Sequence, residues 1–204
     1  MKAKSALPEL GDLEGRPHNL QPRDQEPGPH LEAGGKGEGK MAGTVKAVQE
    51  GMHTITPHLS VKGADKAIEF YKKAFGAEVK GVHYTPDGQV MHAMLRIGDS
   101  NLMMADEFPG MGTPSPQTLG GSPVVLNIYV DNVDTLFNQA VAAGAQVTMP
   151  LSNQFWGDRY GQIRDPFGHT WALGQHIEDV APEEMERRGM AIFAEMAKAK
   201  AQGA

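Results

Sequence analysis

Two strand histidines and one short aromatic and basic run hold most of the chemical capacity of this chain. In TITPHLSV (54–61), Thr54, Thr56, His58 and Ser60 alternate with Ile55, Pro57, Leu59 and Val61. In a strand, such alternation puts the two sets on opposite faces. In VMHAMLRI (90–97), His92, Met94 and Arg96 likewise oppose Met91, Ala93, Leu95 and Ile97. A neutral imidazole offers a lone pair near neutral pH, so His58 and His92 are the candidate catalytic residues, as general base or as ligand. A hydrogen-bonded structural role is the competing reading of each. In NQFWGDRYGQIR (153–164), Trp156, Arg159 and Tyr160 lie close together. Aromatic and guanidinium side chains grip planar or anionic ligands. The competing reading makes Trp156 a core residue and Asp158/Arg159 a loop salt bridge.

The elements that must position these residues follow from periodicity. ADKAIEFYKKAF (64–75) aligns Ala64, Ile68, Tyr71 and Phe75 on one helical stripe, and Gly76 stops it. Strands are expected at 54–61, 78–84, 90–97 and 101–105. A Gly/Pro/Ser-rich linker covers 107–122. The order then recurs: a strand at 123–130, a helix at 132–143 with Asp131 as N-cap and Gly144 as stop, and strands near 146–150, 158–164 and 169–175. VKGADKAIEFYKKAFGAEV (61–79) matches VDNVDTLFNQAVAAGAQV (130–147), so the chain contains an internal repeat of two βαβββ units.

By the repeat offset Thr56 matches Val125, His58 matches Asn127 and Ser60 matches Tyr129. The all-apolar faces should pack under the helices. The two mixed faces should line one concavity related by a pseudo-twofold, which makes Thr56, Ser60, Asn127 and Tyr129 candidate ligand-binding residues beside Trp156, Arg159 and Tyr160. A solvated outer face is the alternative. A last helix is expected at 182–200, opening on Pro182 with Glu183 and Glu184 in its first turn. Its stripe of Met185, Ile192, Phe193 and Met196 suits docking on its own domain or on a partner subunit.

Composition sets the outer limits. The 204 residues are 40% hydrophobic, enough for one modest core, and the net charge is -6. Neither nucleic acid nor an anionic membrane is expected as a partner, since both need a basic face. With Cys 0, thiolate nucleophiles, thiolate zinc sites and disulfides are excluded. There is no apolar run of bilayer length and no signal-peptide core at the N-terminus, so the cytoplasm is the expected compartment. Residues 1–51, rich in Gly, Pro and charge, read as a disordered tail or a mis-called leader, with Met41 or Met52 as alternative starts.

At three runs the sequence becomes similar to a known family. TPHLSVKGADKAIEFYKKAFGAEV, VMHAMLRIGDSNLMMAD and QFWGDRYGQIRDPFGHTWAL resemble the PhnB-like branch of the vicinal-oxygen-chelate (glyoxalase/bleomycin-resistance/dioxygenase) superfamily. The resemblance spans about 53–178. It implies an α+β fold in which two βαβββ modules (53–106 and 123–176) form a cupped mixed sheet within a domain over 52–178, with 179–204 as an appended amphipathic helix. It also implies a homodimer. The superfamily's metal is held by four side chains, one from each of four strands. Carried over by motif, those positions are Thr56, Val125, Ala172 and Met103 or Met104. None is a strong metal ligand, so the resemblance implies the fold without the glyoxalase I metal set; Met104 joins the candidate ligand-binding residues instead. No cofactor is assigned, and a divalent metal on another ligand set stays open.

Three functions fit these residues. One is a metal-free small-molecule-binding protein similar to bleomycin-resistance proteins. The second is a lyase, isomerase or dioxygenase of the same fold, with His58 or His92 as base or ligand and Arg159 or Arg164 holding an anionic group. The third is an interaction domain acting through its last helix. No Gly-rich strand-turn-helix signature supports a methyltransferase.

Overall fold

The computed structural model describes residues 46–49 and 51–202. Almost all of the Gly/Pro-rich stretch expected as a tail therefore lies outside the described residues, as do the alternative start at Met41 and the last two residues. From His58 onward the repeat is realised twice. The first module runs β1 (His58–Val61), α1 (Ala64–Phe75), β2 (Glu78–Tyr84), β3 (Val90–Ile97) and β4 (Ser100–Asp106). A short α2 (Pro116–Leu119) sits in the linker. The second module runs β5 (Val125–Tyr129), α3 (Val133–Ala142), β6 (Gln146–Asn153), β7 (Asp158–Arg164) and β8 (Thr170–His176), and α4 (Pro182–Gln202) follows.

Each module folds into its own four-stranded mixed sheet, ordered β1-β4-β3-β2 and β5-β8-β7-β6. In each, the first strand pairs parallel with the last, because the crossover helix returns the chain in the same direction. Two strands start later than expected. β1 begins at His58, after Pro57, which has no N–H to give a ladder. β5 begins at Val125, just beyond Pro123. The N-cap of α3 is Asn132, whose side chain accepts from the Thr135 amide at 3.0 Å, in place of the expected Asp131.

The apolar stripes go where the periodicity sends them. Ala64, Ile68, Tyr71 and Phe75 of α1 are buried, as are Val133, Phe137 and Ala140 of α3, against Leu59, Val61, Leu95, Ile163 and Leu173. The helices of the two modules pack on each other. One buried carboxylate joins the modules. Asp165, in the β7–β8 turn, accepts from Tyr71 Oη at 2.7 Å, from Trp171 Nε1 at 2.9 Å, and from the Phe167 and His169 amides at 2.9 Å each. Burial, then the charge of Asp165, push the Tyr71 hydroxyl well above its ordinary pKa, so it stays a donor. The modules also cap their helices in parallel ways. Asp106 at the end of β4 accepts from the Gly63 and Ala64 amides, and Gln175 near the end of β8 accepts from the Val133 amide.

The helix α4 touches the domain near Arg188 and Gly189, while its expected docking stripe, including Met185 and Ile192, is exposed. Arg188 pairs with Glu178 and Glu184, and Gly189 lies against the Phe155 ring. Further along, Phe193 and Met196 are exposed. Among the described residues no helix is long and apolar enough to cross a membrane.

Candidate functional site

Each sheet buries one face under the helices and leaves the other open, and the candidate residues divide between the two open faces. On the first sheet the register aligns His58 with Met103 and Met103 with Met94. Their alternates Leu59, Ala93, Leu95, Leu102 and Met104 are core. The strand parity thus holds for His58, Ser60, His92 and Met94. His58 and His92, which strand parity assigns to open faces without giving their distance, come together here, their ring centroids 5.9 Å apart at 75°. Burial, and then the neighbouring His92, hold the His58 imidazole below its usual pKa, which keeps it neutral and able to accept a proton.

Three expected members do not join this group. Met104 is fully buried among core side chains, so Met103 is the methionine on the open face. Thr56 precedes β1, and its hydroxyl donates to the His53 carbonyl at 3.2 Å. The Ser60 hydroxyl donates to the Thr113 carbonyl of the linker at 2.6 Å.

On the second sheet Asn127 and Tyr129 of β5 share a face with Tyr160 and Gln162 of β7. Trp156, at the loop before β7, sets its ring edge-on to Tyr160 with centroids 5.6 Å apart at 73°. Asp158 stands beneath them, 6% exposed. Its Oδ2 accepts from Tyr129 Oη at 2.8 Å and from Trp156 Nε1 at 3.0 Å, and its Oδ1 meets His176 Nδ1 at 2.9 Å. Burial pushes the Asp158 carboxyl up, but the donors His176, Tyr129 and Trp156 outweigh it and hold the group ionised. His176 also presents Nε2 to Asp179 at 2.9 Å. A ring that faces a carboxylate at each nitrogen is at home as the imidazolium, and Asp179, then Asp158, raise its pKa accordingly.

Two glycines make this arrangement fit. A Cβ on Gly174 would come within 3.0 Å of the Tyr129 ring. Gly157 has φ 96, and a Cβ there would lie 2.0 Å from the Glu178 carbonyl, so only glycine lets the aromatic loop close on the chain after β8.

Arg159 does not belong to the open face. It alternates with Tyr160, points to the helix side and makes a two-pronged pair with Asp134 of α3 at 2.6 and 2.7 Å. The competing reading, an Asp158/Arg159 loop pair, is not realised either, since each has a different partner. Asp158, His176 and Gln162 were missed as site residues. Parity along 158–164 would have found Asp158 and Gln162, because both alternate in phase with Tyr160.

Among the described residues, none of the three cavities joins the two open faces expected to line a single concavity. The largest cavity described, about 490 Å³, lies at the seam between modules and is lined by Pro57, Phe75, Leu102 and Trp171 together with the candidate residues Asn127 and Tyr129, among others. His58, His92, Trp156 and Tyr160 are not part of its lining. A smaller hollow of about 300 Å³ is bounded by Tyr129, Asp131, Gln175 and His176.

The residues at the superfamily's metal positions do not form a ligand set for a divalent metal. Thr56 is engaged with the backbone, Val125 has no donor, and Ala172 is 1% exposed with none either. Met103 offers only a thioether.

The comparisons agree with this architecture. The profile of the Glyoxalase/Bleomycin resistance protein/Dioxygenase superfamily matches residues 51–173. An uncharacterized protein of Mycobacterium tuberculosis, Rv0887c, is 44% identical over 135 residues, 65% of this chain and 79% of the relative. The crystal structure of protein PA1353 from Pseudomonas aeruginosa is similar at TM-score 0.52 and 25% identity, covering 62% of this chain and 100% of that one. A PhnB protein from Bacillus cereus is similar at TM-score 0.49 and 23% identity, covering 60% and 99%.

Proposed function

The chain belongs to the glyoxalase/bleomycin resistance protein/dioxygenase superfamily, and from that premise we propose that it is a small-molecule-binding protein of the PhnB type, without the glyoxalase I metal set. The ligand rests on the open face of the second sheet, against Tyr129, Trp156 and Tyr160. The observation that carries this reading is the aromatic cluster held over an ionised, buried Asp158. Two carboxylates and one imidazolium leave that cluster with a net negative charge, and aromatic faces add the attraction of their ring quadrupoles for cations. The ligand class is accordingly a planar aromatic cation.

Isothermal titration of the full chain with an acridinium salt tests this. Saturable binding is expected, weakened by about tenfold or more in Trp156→Ala. An affinity unchanged by that substitution, or no binding heat, would refute the reading.

The functional unit is a homodimer on this account. The strands β1 and β5 are edges, hydrogen-bonded on one side only, and unpaired edges invite a partner. Exposed Ile55 and Val124 flank them, and Phe193 and Met196 add apolar surface. A second copy seated on Ile55 would cover the seam cavity, which Ile55 helps to line. Light scattering should give twice the chain's mass; a monomer at micromolar concentration would contradict it.

The convergence of His58 and His92 favours a second reading, a lyase, isomerase or dioxygenase of the same fold with an imidazole base or a non-standard metal. Its mark would be turnover abolished by His58→Ala and His92→Ala and kept in Trp156→Ala.

A further inference from the structure

The open face of the first sheet carries a donor set that the binding proposal does not use. His58, Met103 and Met94 stand in one cross-strand row over β1, β4 and β3. His92 is two residues from Met94 on the same strand and face, so it lies beside that row. All four face away from the core, and His92, Met94 and Met103 are half-buried. Neighbouring strands are about 4.8 Å apart, so the row spans roughly 10 Å, within reach of a histidine and two unbranched thioethers closing on its middle.

The imidazole spacing suits a shared ion. With a metal–nitrogen bond of about 2 Å and roughly 1.2 Å from nitrogen to ring centre, two rings on one ion have centroids about 5 to 6.5 Å apart. His58 and His92 stand at 5.9 Å. Among the described residues no group of three or more His, Cys, Asp or Glu is placed to hold a metal, so hard and borderline divalent ions lack a full ligand set. Thioethers select differently: methionine sulfur is a soft donor suited to copper(I), and imidazole tolerates it. The chain has Met 12 and Cys 0, so any soft-donor site in it must be built on thioethers. Beside Met94 lies a hollow of about 270 Å³ with Met52 on its rim and with Lys80 and Arg96 also in its lining, and Asn101 Nδ2 ties the Gly51 carbonyl across it at 2.7 Å.

We infer that His58, His92, Met94 and Met103 form a site for a soft monovalent metal ion of the copper(I) class. This goes beyond the small-molecule reading and does not rest on it, since the two use different sheets.

The test is anaerobic competition of untagged full chain against bicinchoninate for copper(I), with silver(I) as a redox-inert probe and zinc(II) as the contrast. One equivalent of copper(I) is expected, bound at least about a hundredfold more weakly by the Met94→Leu/Met103→Leu double variant, whose volume change is small. His58→Ala should weaken it as well, and Trp156→Ala should not. Methyl-¹³C methionine spectra of the unsubstituted chain during silver(I) titration give a readout free of folding concerns: two methyl signals should move first and saturate at one equivalent. Copper(I) affinity unchanged by the double substitution, zinc(II) bound as tightly as copper(I), or methionine signals that all move together would overturn the site.

Discussion

The two modules share a backbone plan and differ in the chemistry of their open faces. On the first sheet the exposed row is imidazole and thioether, with no carboxylate among His58, His92, Met94 and Met103. On the second, the corresponding strands carry Asn127, Tyr129, Tyr160 and Gln162, with Asp158 buried beneath and held by three side chains. The modules agree in what the helices pack against and differ where packing makes no demand. One face is suited to lone-pair donation, the other to holding a flat, positively charged body.

The largest effect is expected where the modules do not differ but join. Asp165→Ala leaves Tyr71 Oη, Trp171 Nε1 and two backbone amides without their buried acceptor. Urea unfolding should show a loss of about 3 to 5 kcal/mol. A loss below about 1 kcal/mol would mean that apolar packing alone joins the modules. Next is Gly157→Ala, where strain and the clash with the Glu178 carbonyl fall on the second sheet alone. A cost of about 2 to 3 kcal/mol is expected. The His58 and His92 NMR signals should stay in place; if they move, the two faces are coupled and the contrast between them fails.

Much of this was legible in sequence, and the gaps have definite causes. Both βαβββ units, the buried stripe of α1 and the faces of His58 and His92 follow from periodicity and the repeat, but the approach of the two imidazoles does not, since parity gives faces and not distances. Met104 was misplaced because Leu102, Met103, Met104 and Ala105 are all apolar, so alternation gives no signal there. Arg159 was grouped with Tyr160 by proximity, although neighbours on a strand face opposite ways, and its partner Asp134 lies on another element. The separation of the two open faces is a matter of how the modules dock, which no local pattern records.

Histidine titration sharpens the contrast further. Folded His176 keeps its proton above the usual imidazole pKa, so the stability it adds is full below about pH 6.5 and is lost as pH rises through its folded value. His58 runs the other way: its folded pKa lies below 6.5, so stability is lost as pH falls through about 6.5 toward that value. NMR titration should therefore find His176 midway above 6.5 and His58 below it. The reverse order would remove the electrostatic account of both faces. The smallest effect is expected from Arg159→Ala, which breaks a partly exposed pair with Asp134. Stability should fall by no more than about 1 kcal/mol, and calorimetric affinity for the aromatic cation should not change. A tenfold loss of affinity would return Arg159 to the binding face.

The most direct test of ligand binding on the second sheet uses the two tryptophans of the chain as position-specific reporters. Trp156 stands on the proposed face and Trp171 lines the larger seam cavity. In a ¹⁵N-labelled full chain titrated with the acridinium salt, the account predicts that the Trp156 indole N–H signal moves and saturates while that of Trp171 stays. Movement of Trp171 with Trp156 unmoved would place the ligand in the seam and contradict the account.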